Sequence, residues 1–271
     1  MTWLKRSLTA GGKMKVIVTD LDGTLLRQDK SISDRTLKAM NEIVNKGFKF
    51  IVATARPKRA VVGIIPSRFL NYYLICYNGA EVYFGDQLIH SNYLDADTVK
   101  DTVLWLMANY PGIRISLEIM NRLYANFDVR MMTGWLPEYT FVDFGDFEFR
   151  PTAKILVDLS EVDDPGRINR FLPDDFKMVV TDGGTLGQIA HKDVSKMNAI
   201  RSLSNILGFS LDDVTAFGDD YNDMDMIREC GTGIAMGNAS EEVKRAAKRV
   251  AETNDNDGVA IELERIIEQL D

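Results

Sequence analysis

The sequence predicts an α/β fold, a Rossmann-like parallel-sheet core carrying an inserted α+β domain. Three observations predict it. Short β-branched runs alternate with amphipathic stretches from Met14 over about seventy residues. The rhythm then gives way to short alternating segments and an aromatic-rich stretch, and it returns from Lys196 to the end of the chain. The boundaries expected on this basis are 14–82 and 190–271 for the core and 83–189 for the inserted domain.

Taken in order, Val16-Ile17-Val18 reads as a buried strand. Ser33 is placed to cap a helix that carries Leu37, Met40, Ile43 and Val44 on one face and closes at Gly47. Phe48 to Ala53 is the next strand, Arg59 to Ile65 a short helix, and Tyr72 to Tyr77 a third strand. Asn78-Gly79 then predicts a hairpin, and Gly85-Asp86 a second. In the middle of the chain Asp97 to Tyr110 predicts a helix with Val99, Val103, Leu106 and Met107 along its stripe. Strands follow at Ile113 to Glu118, Arg122 to Asn126 and Lys154 to Leu159. The aromatics from Trp135 to Phe149 read as core of this domain, and Asp164-Pro165 starts a helix before strands at Phe176 to Thr181 and Leu186 to Ala190. The core pattern resumes with a helix from Lys196 to Gly208, a strand at Val214 to Phe217, a helix to Glu229 and a strand at Ile234 to Met236. Helices from Ser240 and Gly258 finish the chain. Residues 1–13 read as an extension outside the fold, since Met14 stands directly before the first apolar run.

Composition narrows the chemistry. The 271 residues carry 32 Lys+Arg against 40 Asp+Glu, a formal charge of −8 that gives no footprint for nucleic acid or an anionic membrane surface. No apolar run reaches the length of a membrane span. Cys76 and Cys230 are too few for a disulfide scaffold or a four-thiolate zinc site, which points to a reducing, cytoplasmic setting. His90 and His191 are the only histidines, so carboxylates, hydroxyls and lysines must carry most of any catalytic chemistry.

Three expected strands end by running into polar residues. The first leads into Thr19-Asp20-Leu21-Asp22-Gly23-Thr24, the second into Thr54-Ala55-Arg56, and the third into Gly218-Asp219-Asp220-Tyr221-Asn222-Asp223. Ligands of open α/β sheets bind outside the carboxyl ends of the strands. Parallel strands therefore bring Asp20, Asp22, Thr54, Asp219 and Asp223 to one edge. Converging carboxylates repel unless a cation intervenes, and an all-oxygen ligand set selects a hard ion, most simply Mg²⁺. Lys196 opens a helix, where a cation opposes the helix dipole, so a phosphoryl group and the carboxylates beside it give it a reason to be there. Asp220 and Asp225 read as turn and cap residues. Gly231 to Gly237 imitates a dinucleotide-binding loop but follows a helix and runs into a strand, the reverse of what that motif requires.

These residues carry a family resemblance. Asp20-Leu21-Asp22-Gly23-Thr24-Leu25 resembles the first motif of the haloacid dehalogenase superfamily, with Thr54, Lys196 and the Gly218 to Asp223 stretch resembling its second, third and fourth in order. Tyr77-Asn78-Gly79-Ala80, Val194-Ser195-Lys196, Ala235-Met236-Gly237-Asn238-Ala239 and Asp257-Gly258-Val259-Ala260 are similar to features of its Cof-type branch, subclass IIB, whose inserted domain is a C2B-type cap. Ala55 and Met197 depart from that pattern, each standing where Gly is usual. The resemblance implies a Mg²⁺-dependent phosphatase acting through an aspartyl-phosphate, with Asp20 as nucleophile and Asp22 as general acid and base, its pKa raised by neighbouring carboxylates. It implies Mg²⁺ held by Asp20, the backbone carbonyl of Asp22 and Asp219, with Asp223 an additional ligand or a support for one. It implies a phosphate-binding set of Thr54, Lys196 and Asn222, with Thr54 and Lys196 holding phosphoryl oxygens and Asn222 orienting Lys196 or Asp20. The substrate implied is a small phosphorylated metabolite, sugar phosphates first and phosphorylated cofactor precursors next, on a monomer or small homo-oligomer. The rival readings are a sugar phosphomutase and a non-catalytic phosphometabolite-binding regulator.

Overall fold

The computed structural model describes residues 14–66, 69, 73–131 and 137–270. Residues 1–13, Tyr72 and Trp135, all named above, lie outside them. The chain divides into two compact units. One holds the described residues up to His90 and those from Ser195 onward, and the other is Ser91–Val194.

In chain order the strands are β1 (Val16–Thr19), β2 (Lys49–Ala53), β3 (Tyr73–Cys76), β4 (Glu81–Phe84) and β5 (Gln87–Ser91). Then come β6 (Ile115–Ile119), β7 (Arg122–Ala125), β8 (Tyr139–Phe141), β9 (Lys154–Asp158), β10 (Phe176–Thr181) and β11 (Leu186–His191). The last three are β12 (Val214–Gly218), β13 (Thr232–Ala235) and β14 (Arg249–Val250). The first unit is built on an eight-stranded sheet in the order β14-β13-β12-β1-β2-β3-β4-β5. From β14 to β3 the pairing is parallel, and β4 turns back antiparallel on β3.

This sheet fixes where the chemistry can be. Val16, Ile17 and Val18 are wholly buried, each worth about 1.5–3 kcal/mol of burial, so β1 is locked between β12 and β2. Register then aligns Thr19 with Phe217 on one side and Val52 on the other. The residues just past all three strands thus emerge together. Val16, Val18 and Ile51 pack with Met197, Ala199, Ile200 and Leu203 of the Lys196–Leu207 helix and with Met226 of the Met224–Glu229 helix. The helix expected after Ser33 runs Asp34–Asn45, its cap oxygen accepting from the Thr36 N–H. Asn78-Gly79 does join β3 to β4, through a 3₁₀ turn over Tyr77–Gly79, and Gly85-Asp86 joins β4 to β5. Gly231 lies between the Met224–Glu229 helix and β13, and Gly233 lies within β13, the wrong order for a dinucleotide loop.

The second unit is a six-stranded sheet, β10-β11-β9-β6-β7-β8, antiparallel except for the β7–β8 pair. Alternation along β6 and β9 sends Ile115, Leu117, Ile155 and Val157 to one face, where they meet Val99, Val103 and Leu106 of the Ala96–Asn109 helix. Phe144, Phe147 and Phe149 join the same cluster, so most of the described aromatic stretch is core, whereas Phe141 is exposed. Among the described residues no helix is long and apolar enough to cross a membrane.

Candidate active site

Asp20 is the first residue beyond β1. Its N–H donates to the Phe217 carbonyl at 2.9 Å, extending the β1–β12 ladder by one rung, and its side chain is buried. The Lys196 Nζ donates to Asp20 Oδ1 at 2.5 Å and to Asp223 Oδ1 at 2.6 Å. Asp20 Oδ2 accepts no hydrogen bond among the described residues. Lys196 is itself only 1% exposed, so its charge is satisfied by these two carboxylates rather than by water. Its position follows from the Ser195 cap, whose hydroxyl accepts from the Asn198 N–H. Gly79 allows the close approach: it has φ +112°, and a Cβ there would lie 2.3 Å from the Ser195 carbonyl oxygen.

The loop after β12 is organised by its own side chains. Asp223 Oδ2 accepts from the N–H groups of Asp219 (3.1 Å) and Asp220 (3.2 Å), while Asp220 caps the 3₁₀ turn over Tyr221–Asp223. The Thr24 hydroxyl donates to Asp219 Oδ1 at 2.6 Å. Gly23, at φ +80°, leaves room for the Asp219 carboxylate, which a Cβ would meet at 2.3 Å. Asp20, Asp219 and Asp223 each place a carboxylate oxygen within 4.8 Å of the others.

Three carboxylates and one ammonium leave two negative charges in a buried space. Burial pushes the Asp20 carboxyl above its ordinary range; Lys196 opposes the rise, and Asp223 and Asp219 add to it. Burial alone would lower Lys196, but Asp20 and Asp223 raise it, and an ammonium between two carboxylates stays charged. The excess charge falls on the carboxylates, and a hard divalent cation fits this donor set. Burial takes Asp219 from 3.8 up to about 6, against the Thr24 hydrogen bond and with Asp223 adding. Because that folded-state value lies above the unfolded one, the stability Asp219 contributes is complete below about pH 3.8. It is lost as pH rises through about 6. Urea unfolding in EDTA is expected to show this loss. Mg²⁺ should raise the midpoint at pH 7.5 and much less at pH 5, where protons compete for the carboxylates. An equal shift at both pH values would contradict it.

Asp22 departs from expectation. Its carboxylate is not among the three that converge. Arg56 binds it through two hydrogen bonds, Nε to Oδ2 and Nη2 to Oδ1, both 2.6 Å, and Lys30 Nζ adds a third at 2.9 Å. Burial works to raise its pKa, but Arg56 and Lys30 outweigh that and hold it below the usual carboxylate range. The expected upward shift is therefore corrected: its charged neighbours are cations. Thr54 continues β2 by one residue, is buried, and accepts the Arg56 N–H on Oγ1 at 3.1 Å, leaving its hydroxyl proton to donate. The orienting contact expected of Asn222 is also corrected. Its amide donates to Asn78 Oδ1 at 3.0 Å and reaches neither Lys196 nor Asp20. Arg56, Lys30, Thr24 and Asn78 were not singled out from the sequence for these contacts. Thr24 and Arg56 stand in the first and second motif stretches without a role read for either, and Lys30 gave no signal.

Residues 17–263 match the haloacid dehalogenase-like hydrolase family, and the chain belongs to it. It is 28% identical over 249 residues to the 5-amino-6-(5-phospho-D-ribitylamino)uracil phosphatase YcsE of Bacillus subtilis (strain 168), covering 91% of this chain and 93% of that one. A second Bacillus subtilis (strain 168) protein of the same activity name, YitU, is 28% identical over 260 residues, covering 92% and 96%. The fold is similar to that of a haloacid dehalogenase-like hydrolase from Bacteroides thetaiotaomicron, with a TM-score of 0.78 and 27% identity over 94% of this chain and 100% of the other.

Proposed function

We propose that the protein is a Mg²⁺-dependent phosphatase that hydrolyses small phosphorylated metabolites, sugar phosphates foremost, through an aspartyl-phosphate. The observation that carries the reading is the asymmetry of Asp20. One oxygen is pinned by a buried lysine, and the other accepts no hydrogen bond among the described residues, at the carboxyl edge of a parallel sheet.

In this reading Asp20 Oδ2 attacks phosphorus as the bond from phosphorus to the ester oxygen breaks. Asp22, protonated, gives its proton to the departing alkoxide and is left as a carboxylate. It then takes a proton from a water whose oxygen attacks phosphorus. The Asp20–phosphorus bond breaks, phosphate leaves, and the Asp20 carboxylate is restored. Thr54 and Lys196 hold phosphoryl oxygens and stabilise charge spread over them. Asp20, the Asp22 backbone carbonyl and Asp219 would hold Mg²⁺, with Asp223 in support. Bound there, the ion neutralises phosphoryl and carboxylate charge.

The inserted unit, Ser91–Val194, is assigned the selection of substrate. The substrate class has support from YcsE and YitU, whose names specify a phosphorylated ribityl chain, a phosphate ester on a polyol. The test is phosphate release from a panel of sugar and sugar-alcohol phosphates in Mg²⁺, with EDTA and Asp20→Asn as controls. Release above both controls is expected. No release above the Asp20→Asn background would end the reading, and an isomeric sugar phosphate in place of free phosphate would make the protein a mutase.

A further inference from the structure

We propose that Arg56 and Lys30 form a leaving-group subsite, which the Asp22 carboxylate fills until a substrate bearing acceptor oxygens beside its ester oxygen displaces it. The proposal rests on the phosphatase reading above. It starts from a conflict between geometry and role. A general acid must reach the ester oxygen, yet the Asp22 carboxylate lies outside the group formed by Asp20, Asp219 and Asp223 and is held in three charge-assisted hydrogen bonds. Its acid–base work requires it to change partners.

The donors it would abandon are specific. The Arg56 guanidinium presents Nε and Nη2 as a fork, to which a carboxylate or neighbouring hydroxyls are the matching acceptors. Its side chain is 26% exposed, so a fork left without acceptors would carry a desolvation cost. Lys30 reaches the same carboxylate from a turn in which it adopts φ 66°, at a side-chain exposure of 57%. Asp22 acts on the ester oxygen. Atoms one or two bonds beyond that oxygen therefore lie within a side chain's length of Arg56 and Lys30. A hydroxyl or carboxylate there takes over the donors and frees Asp22. A leaving group without acceptors cannot, and leaves Asp22 bound.

Three substrates with the same carbon count test this: glycerol 3-phosphate with hydroxyls only, 3-(phosphonooxy)propanoate with a carboxylate only, and n-propyl phosphate with neither. The wild-type protein should prefer at least one oxygen-bearing substrate to n-propyl phosphate in kcat/KM by about tenfold or more. The identity of that substrate distinguishes hydroxyl from carboxylate recognition. Arg56→Met and Lys30→Met should each shrink the preference severalfold, by loosening the hold on Asp22 when n-propyl phosphate is bound and by removing a donor to the favoured substrate. Lys30 is exposed, so its variant keeps the test valid if Arg56→Met does not fold. A preference below twofold in the wild type, or one that survives both substitutions unchanged, overturns the subsite. Failure of the wild type to release phosphate above Asp20→Asn from any phosphate ester overturns the phosphatase reading instead.

Discussion

Asp20→Asn is expected to lower phosphate release by at least about 10³-fold, since in the proposed mechanism it removes the attacking oxygen on which every later step depends. Its effect on stability is expected to change sign with metal. Asp20 is buried with two other carboxylates and only one lysine. The neutral amide has nearly the same shape, so in EDTA at neutral pH it relieves repulsion and the variant should be at least as stable as the wild type. In saturating Mg²⁺ the order should reverse, because the wild type gains binding free energy through a ligand the variant has weakened. Thermal unfolding of both proteins with and without Mg²⁺ reads this crossing directly. If Asp20→Asn is less stable in EDTA as well, Asp20 is held chiefly by its link to Lys196, and the account of excess negative charge is wrong.

That charge balance was largely legible before any geometry. Val16-Ile17-Val18 can only be a buried strand, and a buried parallel strand must deliver the residue after it to the sheet's carboxyl edge. The same logic held for β2 and β12, and register completed it by aligning Thr19 with Phe217 and Val52. Helix ends were equally local, as with Ser33 and Asp164, each of which accepts from a nearby backbone N–H. Side-chain direction was not legible. Arg56 is 34 residues from Asp22 in sequence, and their pairing depends on rotamers and on a turn at Lys30 that the composition does not announce. Asn222 pairs with Asn78 across 144 residues for the same reason. The strands β8 and β14 were also missed. At three and two residues they are too short to show a period, and they exist because an adjacent strand offers its edge.

Lys196→Met should be the most destabilising single change at the site, by about 3–5 kcal/mol in EDTA at neutral pH. Methionine nearly matches the lysine stem in volume, so the loss is electrostatic. Asp20 and Asp223 would each keep a buried charge from which a 2.5–2.6 Å ion pair has been removed. Three measurements separate this from poor packing. Stability of the variant should rise as pH falls from 7 toward 5, because protonating a carboxylate now removes repulsion without breaking an ion pair. Adding Asp223→Asn should recover part of the loss, as the pair is coupled rather than additive. Mg²⁺ should recover part of it too, by supplying positive charge to the same carboxylates, yet without restoring turnover, since the contact to phosphoryl oxygens assigned to Lys196 would still be missing. A variant whose deficit is insensitive to pH, to Asp223→Asn and to Mg²⁺ would show that Lys196 stabilises through its methylenes. In that case the buried ammonium is not what holds Asp20 in place.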